Sequence, residues 1–148
     1  MKTPGILLLL VPLLACAEEG AVSDRELSLG GVAIGDTAAQ VVSRLGEPKR
    51  KVPEQDFLDL HYDYANLRVS FNGGIVAGLQ AETRGACTPK GLCPGDRLDR
   101  MRALYGDPIV SDRETGRSYE YIGGDAACWL QIRPRGKRVA SIAVACQP

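Results

Sequence analysis

One histidine and five cysteines set the limits on what chemistry this 148-residue chain can attempt. With His61 alone, neither a His-rich metal site, nor a His-dependent nucleophilic triad, nor an HExxH zinc motif can be assembled. Asp36 and Asp96 each precede a helical pattern, where they read as helix caps rather than metal ligands. Gly73-Gly74 and Gly123-Gly124 fall between strand-like runs with no helix after them, so neither forms a phosphate-binding loop. No catalytic residue, metal ligand, cofactor or small-molecule substrate is therefore expected, and the chain reads as a non-enzyme. Covalent chemistry is left to the cysteines. A CxxC pair is absent, so Cys16, Cys87, Cys93, Cys128 and Cys146 point to anchoring and cross-linking rather than redox catalysis.

Cys16 stands at the end of an export signal. Lys2 precedes the apolar run Ile6 to Leu14, which is too short to span a bilayer, and small residues follow. Leu13-Leu14-Ala15-Cys16 has the form of a lipobox, with residues 1–15 removed and Cys16 acylated. Ala15-Cys16-Ala17 also satisfies the rule for ordinary signal cleavage, which would leave a soluble protein beginning at Glu18. Ala17 after an acylated Cys16 suits delivery to the outer membrane, where the domain would face the periplasm. Loss of residues 1–15 removes Lys2 and leaves a formal charge of −1. Such a balance gives no reason to expect nucleic acid or bulk attraction to a membrane. Residues 17–28 are polar and aperiodic, and read as a flexible tether.

Residues 29–148 read as one domain of two repeats, about 29–82 and 88–146. Gly35-Asp36 and Gly46-Glu47-Pro48 return sixty positions later as Gly95-Asp96 and Gly106-Asp107-Pro108. In each, an acidic or hydroxyl cap starts a helix of about three turns and a glycine followed by proline stops it. Thr37 and Gln40 have capping-box spacing; Asp96 is the expected second cap. Val41, Val42 and Leu45, then Leu98, Met101 and Leu104 or Tyr105, supply the buried stripes. Strand-like alternation follows each helix: Leu58 to Tyr64, Leu67 to Phe71 and Ile75 to Leu79, then Tyr119 to Tyr121, Cys128 to Ile132 and Ile142 to Cys146. The expected fold class is α+β, each repeat a short helix on a three- to four-stranded antiparallel sheet. Four cysteines allow three connectivities. Pairing Ile132 with Ile142 across residues 134–138 sets Leu130 opposite Val144 and Cys128 opposite Cys146, so the register favours that bridge, with Cys87 to Cys93 closing a local loop.

Gly35-Asp36, the short helix, Gly46-Glu47-Pro48, the aromatic strand around Tyr62 and the hairpin through Leu67 to Phe71 resemble the SmpA/OmlA (BamE-like) lipoprotein domain. A doubled unit with disulfides resembles the β-lactamase inhibitory protein (BLIP-like) fold. That resemblance implies a non-enzymatic protein that binds other proteins. The first form is an outer-membrane lipoprotein with an envelope protein partner in assembly or maintenance; the alternative is a secreted inhibitor of a hydrolase such as a β-lactamase.

The docking surface follows from alternation. His61, Asp63, Arg68, Ser70, Glu120, Trp129, Gln131, Arg133 and Ser141 run opposite in phase to the apolar sets, and so should share the sheet face turned away from the helices. Trp129 among polar neighbours has the character of an interface anchor. The basic clusters Lys49 to Lys51 and Arg133 to Arg138 read as solvated turn charge. Intact mass checks the covalent part of this reading: reduction should add about four hydrogens for two bridges, and the membrane-bound form should be heavier by acyl chains.

Overall fold

The structure is a computed structural model that describes Met1, residues 18–125 and residues 127–148. The signal segment and Cys16 lie outside the described residues. The chain is α+β and mostly strand. A single helical turn (Asp24–Glu26) precedes β1 (Ser28–Leu29), β2 (Val32–Ala33) and α1 (Ala38–Leu45). Then come β3 (Arg50–Pro53), β4 (Leu60–Asp63), β5 (Arg68–Asn72) and β6 (Ile75–Ala81). The second half supplies α2 (Leu98–Tyr105), β7 (Ile109–Arg113), β8 (Gly116–Ile122), β9 (Cys128–Arg135) and β10 (Arg138–Cys146).

Strands β3 to β10 form one eight-stranded antiparallel sheet in the order β3-β4-β5-β6-β10-β9-β8-β7, and β1 pairs only with β2. One register row crosses seven of these strands: Tyr62, Val69, Leu79, Val144, Leu130 and Tyr121, beginning from Lys51 at the edge. Every residue in it after Lys51 is buried. Val41 of α1, Met101 of α2 and Leu29 and Val32 of the β1–β2 pair join the same core. The inner face is thus dry because alternate positions of every strand carry large apolar side chains.

Local chemistry explains the helix ends. Thr37 caps α1 in a full capping box: its Oγ1 accepts from the Gln40 amide at 3.2 Å and Gln40 Oε1 accepts from the Thr37 amide at 2.8 Å. Gly46 and Gly106 end the two helices at φ 80° and 76°, where a side chain would be strained. Asp96 does not cap α2; Arg97 occupies that position and makes no side-chain capping bond. The Asp96 carboxylate instead accepts from the Cys93 amide at 2.9 Å, as Asp36 does from the Ala33 amide at 2.9 Å. Both aspartates therefore tie the turn before the helix, not the helix itself. The lead-in then joins β6 or β10: Gly35 donates to Val76 O and Gly95 to Val139 O, while Val76 and Val139 donate to Asp36 O and Asp96 O.

Several sequence expectations need correction. Strands β3 and β7 were not foreseen as separate elements. They are the two sheet edges, with all but one residue of each exposed or polar, so no alternation marks them. Arg50 and Lys51 consequently sit on a strand rather than in a turn. A bulge between Ser70 and Phe71 places Val76, 1% exposed, on the inner face and leaves Ile75 outside, which inverts the expected phase at the start of β6. Arg135 pairs with Arg138, so the β9–β10 turn is only Gly136-Lys137 and Pro134 lies within the strand.

The expected tether is largely packed. Ala21 bridges Ile122 in parallel, the Gly20 amide donates to Asp107 O at 2.9 Å, and the Val22 amide donates to Ile122 O at 2.9 Å. A Cβ at Gly20 would lie 2.5 Å from Ile109 Cγ1. Farther along, buried Glu26 accepts from the Tyr105 hydroxyl at 2.6 Å, and Tyr105 shares a second bond with Thr88 Oγ1 at 2.7 Å. A phenol has one proton, so Thr88 is the donor in that second bond. Polar composition here reflects strand pairing and a buried hydrogen-bond chain rather than solvated coil.

Replacing Thr37 with Ala removes the capping box at an exposed site. Stability should fall by about 1 kcal/mol, which for a domain of this size is a Tm decrease of roughly 4 °C, read by calorimetry.

Candidate functional site

The second face of the sheet is organised by two register rows. One runs Val52, His61, Ser70, Gly78, Ala145, Trp129 and Ile122; the other runs Arg50, Asp63, Arg68, Gln80, Ala143, Gln131, Glu120 and Ile109. All the residues expected on this face stand on strands of one sheet, in these two rows or one pair beyond, where Ser141 opposes Arg133. The structure therefore brings the sequence-nominated set together across the pairing of β6 with β10.

Its members differ in what they can offer a partner. His61 is 8% exposed: Nδ1 bonds the Glu54 carboxylate and Nε2 lies 3.7 Å from Asp63 Oδ1. Asp63 accepts from Arg50 at 2.6 Å and from Arg68 Nε at 2.9 Å. The Arg68 hydrogen bond, reinforced by Arg50, holds the Asp63 carboxyl below the usual carboxylate range against the opposing effect of burial. Glu120 is 7% exposed and accepts from Ser118 Oγ at 3.0 Å, Gln131 Nε2 at 3.1 Å and Arg113 at 3.4 Å. Two carboxylates thus organise the two ends of the face, Asp63 through both oxygens and Glu120 through Oε1 alone.

The middle is different. Ser70, Gly78, Ala143 and Ala145 are small, and the chain between β3 and β4 lays Phe57 and Leu58 beside them, enclosing a trough of about 210 Å³. Phe57 remains 41% exposed. Trp129 pairs with Ala145 on the β9 side, half-buried, and its Nε1 is buried without a hydrogen-bond partner among the described residues. Arg133 is exposed and forms no ion pair among them. Phe57 and the small-residue floor are the parts that sequence reading missed. Gly78 and Ala143-Val144-Ala145 do show the small-large alternation, but what folds over them depends on a loop.

The two expected disulfides are present. Cys128 and Cys146 are bridged, with Cα atoms 4.0 Å apart directly across β9 and β10, and Cys87 is bridged to Cys93. Among the described residues, no group of three or more His, Cys, Asp or Glu side chains could hold a metal ion, and no helix is long and apolar enough to cross a membrane. The face presents two hydrogen-bonded carboxylates, a small apolar floor and one indole.

No family model matches the chain, and no curated protein does. Solved structures share the fold. A DUF4309 family protein (YjgB) from Bacillus subtilis aligns at TM-score 0.52 and 13% identity over 79% of this chain and 83% of its own. A cysteine-rich secretory protein (SAV1118) from Staphylococcus aureus aligns at TM-score 0.53 and 13% identity, covering 87% of this chain and 50% of that one. An extracellular protein containing an SCP domain from Bacillus anthracis gives TM-score 0.57 and 10% identity over 99% of this chain and 50% of that one. The chain spans half the length of these last two. These neighbours replace the SmpA/OmlA (BamE-like) and BLIP-like resemblance, which is overturned. Glycine and proline stops spaced around a short helix serve any helix-then-meander unit, so they did not discriminate between these folds.

The Asp63 pairing predicts a specific acid response. Its pKa is lowered in the folded state, so its contribution is present above the unfolded value and is lost as pH falls through and below the ordinary carboxylate range near 4. Asp63→Asn should lose up to about 1 kcal/mol at pH 7, given how exposed both arginines are. It should also narrow the wild-type advantage to near zero by about pH 2, measured by urea unfolding at each pH.

Proposed function

We propose that the chain is an exported, non-enzymatic protein-binding module, acylated at Cys16 and held on a membrane surface outside the cytoplasm, that docks a protein partner on the outer face of its sheet. The observation that carries this reading is the trough beside Trp129. An extended sheet face with a small-residue floor, an exposed Phe57 wall and a half-buried indole one strand over offers a partner apolar area and an aromatic anchor. Surrounding it, Arg68, Gln131 and Arg133 give a polar rim. Two disulfides fit an oxidising compartment. The secretory and extracellular descriptions of two fold neighbours are in keeping with export.

We also read the chain as one unit used twice, which supports a broad, rigid face rather than a pocket. Support comes from bonds that recur sixty positions apart: Ala33 with Asp36 and Cys93 with Asp96, Gly46 with Val42 and Gly106 with Arg102. Tyr64 and Tyr121 likewise donate to Gly46 O and Gly106 O at 3.0 and 2.8 Å. Each half contributes a helix and four successive strands, and only the pairing of their last strands makes one face.

A photo-crosslinking amino acid at Gln131 or Phe57, in cells, should give one discrete adduct, and Trp129→Ala should abolish it while leaving Tm within about 2 °C. The same adduct from Arg44 on the helix side, or adducts that survive Trp129→Ala, would sink the proposal.

A further inference from the structure

The packed N-terminal segment dictates which part of the domain an anchor would hold closest to lipid. Gly20 is the first residue fixed to the sheet, through its amide to Asp107 O and its carbonyl to the Ile122 amide at 2.6 Å. Three residues, 17–19, separate it from Cys16, four Cα–Cα steps that span at most about 14 Å. The chain meets the sheet at Ile109, so closely that a Cβ on Gly20 would clash with Ile109 Cγ1 at 2.5 Å. Ile109 and its neighbour Val110 begin the edge strand β7 and are 43% and 52% exposed, two of the few large apolar side chains left in solvent.

We propose that this β7 edge, carrying Ile109 and Val110, is the membrane-facing surface of the protein and inserts shallowly at the lipid–water interface. The inference rests on acylation at Cys16. The occupant is a bilayer because the leash is short and ends at Ile109, with Val110 next to it on the same edge strand. Charge supports an apolar rather than an electrostatic contact. Arg102 pairs with Asp107 at 3.7 Å, Arg117 with Asp112 at 2.8 Å and Arg113 with Glu120 at 3.4 Å, so the cations around the edge are locally neutralised. Among the described residues, Arg133 and Arg135 form no ion pair, and they stand on β9 rather than on this edge. The other edge, β3, stands seven inter-strand spacings away, about 34 Å. With β7 at the lipid, the sheet rises from the membrane and its outer face stays open to a partner.

The test uses the full acylated protein reconstituted into vesicles of phosphatidylethanolamine and phosphatidylglycerol, with an environment-sensitive fluorophore on Val110→Cys, Ile109→Cys or, as control, Lys49→Cys. Labels at 109 and 110 should brighten about twofold and be quenched by brominated lipid, unchanged between low and high salt, while the label at 49 stays water-like. An acylated mass with water-like labels at 109 and 110 overturns this inference and leaves the anchor intact. A protein without acyl chains overturns both readings. Shielding at 110 that is equal in the unacylated soluble form marks pairing of two copies through β7 and also overturns it, as does shielding lost at high salt, which marks headgroup electrostatics.

Discussion

Everything else in this structure depends on the antiparallel pairing of β6 with β10. Four residue pairs, Ala81 with Ile142, Gln80 with Ala143, Leu79 with Val144 and Gly78 with Ala145, turn two meanders into one sheet. Each meander alone would leave its last strand as an edge and cover too little apolar surface to be stable. The pairing also aligns both buried rows without a phase slip, so Tyr62 and Tyr121, on β4 and β8, belong to one continuous layer. Small residues at the seam have a second consequence. Gly78 and Ala145 face outward at the centre, where larger side chains would fill the trough and erase this concavity of the outer face.

The inner face is closed by more than helices. β1 lies over β6 and β10, so the N-terminal segment covers the seam that joins the halves. It is secured by a hydrogen-bond chain from the Leu92 amide through Thr88 and Tyr105 to Glu26. Burial pushes the Tyr105 phenol well up, with Glu26 adding to the effect, so it remains a donor across the physiological range. The Cys87–Cys93 bridge limits the conformations of the loop that presents Thr88, and Gly30 donates to Cys87 O at 3.0 Å. Bridge, loop and N-terminal segment therefore form one cooperative lock over the seam.

What was legible in the residues was what local physics determines. The Thr37–Gln40 capping box and the Gly46 stop are short-range chemistry, and alternation along β9 and β10 placed both cysteines opposite each other. The joint composition of the outer face followed from the same alternation. What escaped was set by distance or by edges. Residues 20–22 find their hydrogen-bond partners around Ile122, a hundred positions away, so their polarity looked like solvated chain. Strands β3 and β7 have a single neighbour each and little to bury, so no periodicity records them. Ala77 is an extra residue in the ladder, and nothing in its type announces a bulge.

The two edges also protect the sheet in unlike ways. β3 carries Arg50, Lys51 and Pro53, charge and a missing donor that discourage another strand from pairing. β7 has no proline within it and begins with exposed Ile109 and Val110, a combination that natural edges ordinarily avoid. The incoming chain bridges Ile122 of β8 and packs against Ile109, and the far end of β7 carries the charged Asp112 and Arg113. Charge thus guards one end of this edge and the incoming chain crowds the other, so Ile109 and Val110 stay exposed without forming a long, flat apolar edge.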